Sequence, residues 1–394
     1  GCDKKTWDSK GRNHGFSYPD TLTQASSDDI AQAEESRRLF YVALTRAKQE
    51  LIMSYANKDK NGKGQESSQF IGEILAETHL QVQYRKVEED AMLAFYLTQL
   101  SEEDKPKVEL VDKNFIDQLL QNYTLSVTHL NNYLDCPLRF YFQCLIRVPS
   151  GKSPAATFGS AVHDALKKAF RNLKDNDNEF MPVGSFMTDF SRYMYRNRDS
   201  FTKEDFKRRL AYGEKILPPF YDLNILQWNK TALVELPIKN IEVEGVPIKG
   251  NLDKVEFTGK QVTVVDYKTG NLKYAKEKLL SPNDKNPNGG DYWRQAVFYK
   301  LLVEHDRTKD WHVVDTVFDF VEPINPGEYH KEHVPISAGD TAIVTDQIKT
   351  VYQKIMAHDF NTGCGKADCE WCHFVRSNFT QPGNIMELAG EEAE

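Results

Sequence analysis

Residues 251–268 hold two acids and a lysine at a spacing that could bind a divalent metal beside a scissile bond. They read Asn251-Leu252-Asp253-Lys254-Val255-Glu256-Phe257-Thr258-Gly259-Lys260-Gln261-Val262-Thr263-Val264-Val265-Asp266-Tyr267-Lys268. The alternation predicts a β-hairpin, and Gly259-Lys260 fits a two-residue type II′ turn, which wants glycine first. A turn centred there sets Asp253 opposite Asp266, Val255 opposite Val264 and Phe257 opposite Val262. Opposed residues share a face, so the two carboxylates would stand about 5 Å apart. Lys268, two residues on, lies on the face of Asp266. Hard oxygen ligands suit magnesium or manganese. The lysine could orient or activate an attacking water and offset developing negative charge. The acid-x-lysine spacing also occurs at Asp3-Lys4-Lys5 and Glu103-Asp104-Lys105, but only Asp266-Tyr267-Lys268 ends a strand with a facing acid.

The cysteines suggest a second centre. Cys364, Cys369 and Cys372 follow one another at x4 and x2 spacing, and Cys136 stands far upstream, just before Pro137. Thiolates so close in a reducing compartment suggest a metal or a cluster. Zinc more often uses two close pairs, and x4 then x2 also occurs in two-iron ferredoxins, so spacing alone leaves the nuclearity open. Cys2 and Cys144 remain over. Cys144 reads as a buried thiol that could stand in as a ligand if Cys136 points away.

The elements that must position these groups form an α/β pattern. Helix followed by strand is predicted over 28–56, capped by Asp28 and Asp29, with the strand starting at Leu51-Ile52-Met53. A loop at 57–66, a helix near 69–77 and a connecting region at 80–113 follow. Helical periodicity covers 114–122, 128–142, 158–173 and several segments of 185–216. Strands are expected at 231–244, 246–257, 261–268 and 311–321, helices at 290–304 and 338–358, a proline-rich loop between the last strand and the last helix, and a cysteine-rich loop at 364–372. Residues 192–215 carry eight Lys/Arg against four Asp/Glu, interleaved with Tyr193, Tyr195, Phe201, Phe206 and Tyr212. Cationic grooves with stacking aromatics hold single-stranded nucleic acid without sequence preference.

With these residues in view, Gly250-x-x-Asp253 followed by Asp266-Tyr267-Lys268-Thr269-Gly270 resembles the PD-(D/E)XK nuclease superfamily, in its RecB-like branch. An upstream helix with Phe158-Gly159-Ser160-Ala161-Val162-His163 and a downstream Gln295-x-x-x-Tyr299 helix strengthen the likeness over roughly 126–375. The resemblance implies a nuclease core, a mixed sheet flanked by helices, here with helical insertions. It implies magnesium or manganese at His163, Asp253 and Asp266, with Lys268 catalytic and Glu235, early in the first strand, as a further acid. It places Gln295 and Tyr299 facing DNA. One cysteine before the core and three after it resemble the iron–sulfur, AddB-like subset of this branch. That implies a 4Fe-4S cluster on Cys136, Cys364, Cys369 and Cys372, with a structural role in stapling the ends of the domain.

Glu34-Glu35-Ser36-Arg37-Arg38-Leu39-Phe40-Tyr41-Val42-Ala43-Leu44-Thr45-Arg46-Ala47-Lys48 resembles the last motif of UvrD/Rep-like helicases. That implies that Arg46 reaches the γ-phosphate of ATP, a role suited to an always-charged fork. No G-x-x-x-x-G-K-[ST] occurs in this sequence, so ATP hydrolysis is expected only of a longer parent that supplies the missing N-terminal motor. The first residue, Gly1, fits a piece of such a parent.

The resulting division is a motor remnant at 1–62, a connector at 63–120, a nuclease domain with its cluster at 121–385 and an acidic tail at 386–394. The expected function is a metal-dependent DNA nuclease, an exonuclease, in a helicase–nuclease that processes DNA ends in recombination and repair. Its partners would be DNA, the missing motor and a second helicase–nuclease subunit. Arg196, Lys207 and Arg208 are the expected strand contacts. The rival reading is a non-catalytic DNA-end-binding scaffold, whose signature would be loss of an acid or the lysine. A redox protein using the cluster is a further rival. A net charge of -8 argues superficially against nucleic acid, but residues 381–394 alone carry four of the acids, and the basic strip is local. Six cysteines in 394 residues are too sparse for a secreted disulfide scaffold. No apolar run approaches the roughly 20 residues needed to span a bilayer, and no signal peptide is expected. A cytoplasmic location without membrane attachment is expected.

Overall fold

The computed structural model describes residues 2–8, 29–58, 63–80, 82–85, 88, 90, 105–110, 112–149, 153–325 and 327–379. The cap residue Asp28, the acidic run Glu102-Glu103-Asp104 and the acidic tail lie outside them. The chain divides into two compact units, residues 1–101 with 201–204, and residues 102–200 with 205–394.

In the first unit, helix α1 spans Asp29–Thr45 and α2 spans Gln69–Glu77. Ser68 caps α2 by accepting from the Phe70 N–H, relieving one of the unpaired donors of a helix start. Phe40, Phe70 and Ile71 are buried together, with Trp7 edge-on to Phe40 at 4.7 Å. Arg37 grips Glu73 through two bonds of 2.7 and 3.0 Å. Arg46 is exposed just beyond the end of α1. The strand expected from Leu51 does not form. Residues 51–56 join no ladder among the described residues, although the Ser54 carbonyl accepts from the Cys2 N–H.

The second unit is built on a five-stranded sheet in the order β1-β2-β3-β4-β5. Its strands are β1 Ala232–Val243, β2 Val246–Thr258, β3 Gln261–Lys268, β4 His312–Asn325 and β5 Glu328–His333. The β2–β3 register has Val255 against Val264 and Phe257 against Val262, as the hairpin pattern predicts. Gly259 has φ +66 and Lys260 does not share the left-handed region, as a glycine-first turn requires. β3 and β4 pair in parallel while every other pair is antiparallel. A parallel pair needs a crossover, which residues 269–311 provide. β5 occupies ground expected as a loop. Its sequence, Glu-Tyr-His-Lys-Glu-His, is too polar to show a strand pattern, but it finds the open edge of β4.

The longer helices of this unit are α3 Lys113–Leu120, α4 Val127–Asp135, α5 Pro154–Arg171, α6 Val183–Arg196, α7 Lys203–Asn224, α8 Asp291–Glu304, α9 Ala338–Met356 and α10 Glu370–Phe379. The continuous helix expected over 128–142 breaks at Cys136, whose backbone is extended (φ -159, ψ 121). Pro137 disfavours the helical conformation in the residue before it, and the chain restarts with the proline at the first helical position. Cys372 lies on α10 rather than in a loop, one turn after Cys369. α8 is buried on nearly all sides, with Trp293, Ala296, Val297, Phe298, Leu301 and Leu302 in the core. Its buried Arg294 is satisfied by Asn131, Gln347, Asp291 and the carbonyls of Asn288 and Gly289. No helix among the described residues is long and apolar enough to cross a membrane.

Candidate active site and metal centre

Three elements deliver the oxygen and nitrogen donors. Asp253 comes from β2, Glu235 from β1 and His163 from α5, and one ligand atom of each lies within 4.8 Å of the others. His163 Nδ1 stands 3.2 Å from Asp253 Oδ2. Asp253 Oδ2 also accepts the Tyr267 N–H at 3.0 Å, which ties it to β3. Glu235 has φ +51, a left-handed conformation rare in a non-glycine strand residue. This local kink lies where β1 faces Asp253 across the ladder, between the pairs Val234–Lys254 and Leu236–Leu252. Asn251 Nδ2 donates to Glu235 Oε2 at 2.6 Å and fixes the turned carboxylate. Backbone strain of this kind costs about 1–3 kcal/mol and clusters at functional positions.

Asp266, expected among the ligands, is not within 4.8 Å of all three. It is buried, 3 % exposed, and its Oδ2 has an ion pair but forms no hydrogen bond among the described residues. Oδ1 accepts from Gln295 Nε2 at 2.9 Å and from the Tyr299 hydroxyl at 3.1 Å, while Oδ2 pairs with Lys268 Nζ at 2.7 Å. Lys268 Nζ also donates to Gln295 Oε1 at 2.8 Å and sits 4.3 Å above the Tyr292 ring. Gln295 therefore bridges the acid and the lysine with its two amide ends. Tyr299, expected to face DNA, is buried with its hydroxyl turned to Asp266. Four residues separate it from Gln295, which gives the two a shared helix face. That face meets Asp266 and Lys268 of β3. Tyr292 completes the stripe. The sequence motifs do not single it out, although its three-residue spacing from Gln295 carries the signal.

Electrostatics follow from this packing. Burial disfavours the His163 cation, but the hydrogen bond and charge of Asp253 outweigh it, so the pKa is raised. Burial raises the Asp266 carboxyl, Lys268 opposes and Asp253 adds, with a net upward shift. Burial also drives the Tyr299 hydroxyl well above its ordinary value, keeping it a donor to Asp266. Two carboxylates and an imidazole converging at a partly open place fit a hard divalent cation.

The four thiols Cys136, Cys364, Cys369 and Cys372 also converge, with all four sulfurs within 4.8 Å. Cys136 and Cys372 are fully buried and 3.9 Å apart, and Cys364 lies 3.6 Å from Cys372. Gly363 lies against this centre, where a Cβ would meet Cys372 Sγ at 2.6 Å and Pro106 at 2.9 Å. Phe142 stacks on Trp371 at 4.9 Å beside it. Lys366 and Arg139 both pair with Asp135, next to Cys136. Burial pushes the Cys364 thiol up to about 11. Burial opposes ionisation of Cys369 too, but the Cys372 backbone N–H and neighbouring thiols hold it below the ordinary thiol value. The donor set fits a thiolate-bound metal or cluster. Cys144 stays apart, its sulfur bonded by Asn132 Nδ2.

Arg196, Lys207 and Arg208, the expected strand contacts, are exposed, and Arg208 pairs with Asp205. Phe201 and Phe206 are buried, and Tyr195 lies against Phe206.

A family model described as the PD-(D/E)XK nuclease superfamily matches residues 124–377. The chain belongs to this superfamily. The match covers the acids, Lys268, Gln295 and all four converging cysteines of this PD-(D/E)XK domain. A second model, the UvrD-like helicase C-terminal domain, matches residues 17–58. Among curated proteins, an ATP-dependent helicase/deoxyribonuclease subunit of Carboxydothermus hydrogenoformans, of the AddB type, is 22% identical over 200 residues. That match takes in 41% of this chain and 18% of the relative, so the chain spans under a fifth of the relative's length. A crystal structure from Eubacterium rectale, provisionally assigned as an exonuclease, aligns with TM-score 0.42 and 13% identity, over 72% of this chain and 99% of that one.

Proposed function

We propose that this PD-(D/E)XK domain is a divalent-metal-dependent deoxyribonuclease, acting as an exonuclease within an ATP-dependent helicase–nuclease that processes DNA ends. The observation that carries the reading is the array of Asp266, Lys268 and Gln295, joined through the Tyr267 N–H bond to Asp253 to the converging His163, Glu235 and Asp253. His163, Glu235 and Asp253 would hold magnesium or manganese, with Asp266 as the buried acid beside them. Bound there, the metal would supply Lewis-acid charge stabilisation and a more acidic water for phosphodiester hydrolysis. Lys268 keeps a cation at the same place, positioned by Asp266 and Gln295 and backed by Tyr292, to stabilise charge that develops on the phosphate. Gln295 and Tyr299 hold Asp266 and Lys268 in register rather than gripping DNA. A scaffold without activity would have no need for this array, and none of its acids nor the lysine is lost. The test is cutting of linear DNA with magnesium. Wild type should degrade it, and Lys268→Ala should not. Equal rates for both would end the nuclease reading.

The four cysteines support a 4Fe-4S cluster in the proposal, on the likeness to the AddB-type relative. A second reading is favoured by the sulfur spacing. Four sulfurs around one tetrahedral ion with bonds of about 2.3 Å stand about 3.8 Å apart, near the 3.6 and 3.9 Å found here. Metal and acid-labile sulfide analysis separates the two, since a cluster requires iron and sulfide and the single ion requires zinc alone. Arg46 would serve ATP in a longer parent that includes the rest of the motor. DNA and a second helicase–nuclease subunit are the proposed partners, in the cytoplasm.

A further inference from the structure

A cavity of about 540 Å³ opens beside the acids, bordered by α5, α6 and Glu235 of β1. His163 and Glu235, two of the three converging donors, line it, as do Ser160, Lys167 and Tyr193. Ser160, His163 and Lys167 recur at three- and four-residue spacing and so share one face of α5. The other face, with Phe158, Val162, Leu166 and Phe170, is in the core. Lys167 thus stands one turn, about 6 Å, along the helix from His163.

The charges of this wall are unequal. Asp164 and Asp189 are both taken by Lys168, at 2.7 and 3.2 Å. Lys167 is half-buried at the cavity and forms no ion pair among the described residues. Apart from the imidazole of His163, Tyr193 supplies the one aromatic ring among the lining residues. The other aromatics of the basic strip are placed elsewhere: Phe201 and Phe206 are buried, Tyr195 packs on Phe206, and Tyr212 bonds Glu322. A flat ring and an uncompensated cation, one turn from donors suited to phosphate chemistry, match the two parts of a nucleotide. Stacking on a ring requires an unpaired base, since a duplex keeps its faces inside. The volume lies in the range of small-ligand sites and admits a nucleotide.

We infer that this cavity seats the nucleotide next to the scissile phosphate of a single strand. Tyr193 stacks its base and Lys167 meets its phosphate. This rests on the nuclease reading and gives it a substrate class: single-stranded DNA of any sequence.

The test uses the full chain, a fluorescein-labelled 12-nucleotide oligo(dT) and a blunt duplex of equal length, in EDTA so that nothing is cut. Tyr193→Ala should weaken oligo(dT) binding about tenfold, and Tyr193→Phe, which keeps the ring, should stay within about twofold of wild type. Lys167→Ala should weaken binding and lower the salt dependence by about one counterion. Duplex binding should change little in all three. Phe115→Ala, an exposed aromatic on α3, should match wild type. Oligo(dT) binding by Tyr193→Ala equal to wild type would overturn the inference, as would equal losses in Tyr193→Ala and Tyr193→Phe. A separate magnesium arm measures cutting, so a wild type that cuts while Tyr193→Ala binds normally removes the seat alone. A wild type that never cuts while the binding pattern holds removes the nuclease reading and supports the seat.

Discussion

The acid group at the sheet and the thiol group at the helix ends both draw donors from distant parts of the chain, yet they are enclosed differently. Glu235, Asp253 and His163 are half-buried, Glu235 and His163 face a cavity, and Gln295 and Tyr299 hold the buried Asp266 on the neighbouring strand. The thiols are enclosed further, although Cys364 and Cys369 stay half-buried. Cys136 and Cys372 are fully buried, aromatic rings pack beside them, and Gly363 leaves no space against Cys372. Closed metal sites are structural and open ones keep a place for substrate. Across a sequence separation of 236 residues, tying Cys136 to Cys372 restricts the unfolded chain far more than the folded one. The contrast therefore predicts a division: substitutions at the sheet should lower rate and spare stability, and substitutions at the cysteines should do the reverse.

The hardest test of that division is Lys268→Ala. It should lower the cutting rate by about 10²–10³-fold, while the melting temperature stays within a few degrees. Unfolding instead of inactivation would show that the buried pairing with Asp266 is chiefly structural.

Cys372→Ser comes next. Loss of one thiolate should release the metal and remove about 2–5 kcal/mol of stability, the scale of a lost long-loop crosslink. Thermal melting with metal analysis measures both. At a temperature where the variant is still folded, cutting should remain within a few-fold of wild type. Inactivation without a change in melting would erase the distinction between the centres.

These two centres are not equally legible in the sequence. The hairpin register follows from one glycine-first turn and a strict alternation, which together set Asp253 and Asp266 on one face. The four cysteines can be grouped only through resemblance, because Cys136 is too far away in sequence for spacing to connect it. Glu235 is visible as an acid on a strand, but its aim depends on φ +51 and on Asn251, neither of which alternation encodes. Helical spacing puts Gln295 and Tyr299 on one face but cannot say what that face meets. β5 leaves no pattern because a polar edge strand takes its conformation from the neighbour it pairs with, not from its own residues.

The pH dependence sharpens the thiol side. His129 lies on α4, the helix that leads into Cys136, with Tyr123 at 2.9 Å and Phe140 packed on its ring. Burial, with smaller pushes from Lys249 and Arg147, lowers its pKa to about 4. The unfolded chain takes up this proton near pH 6.5, before the folded chain does. The neutral imidazole therefore contributes its full stability above about pH 6.5, and that contribution declines as pH falls toward 4. The decline should reach about 2–3 kcal/mol. Denaturant titrations at pH 7 and 4.5 should show a larger loss in wild type than in His129→Gln, and equal losses would exclude this histidine as the cause.

The smallest effect probes how closely α5 must approach the sheet. A Cβ at Gly159 would lie 3.1 Å from Thr269 Oγ1, tighter than ordinary contact, so either α5 or the threonine must yield by a few tenths of an ångström. His163 is one turn along the same helix, 3.2 Å from Asp253. Alanine gains about 1 kcal/mol over glycine inside a helix, which should roughly offset the crowding. Gly159→Ala should therefore melt near wild type while cutting a few-fold more slowly and needing more magnesium for half-maximal rate. Removing the obstacle with Thr269→Ala in the same chain should restore both. If Gly159→Ala alone leaves rate and magnesium dependence unchanged, Thr269 is the part that yields, and the approach of α5 does not limit the site.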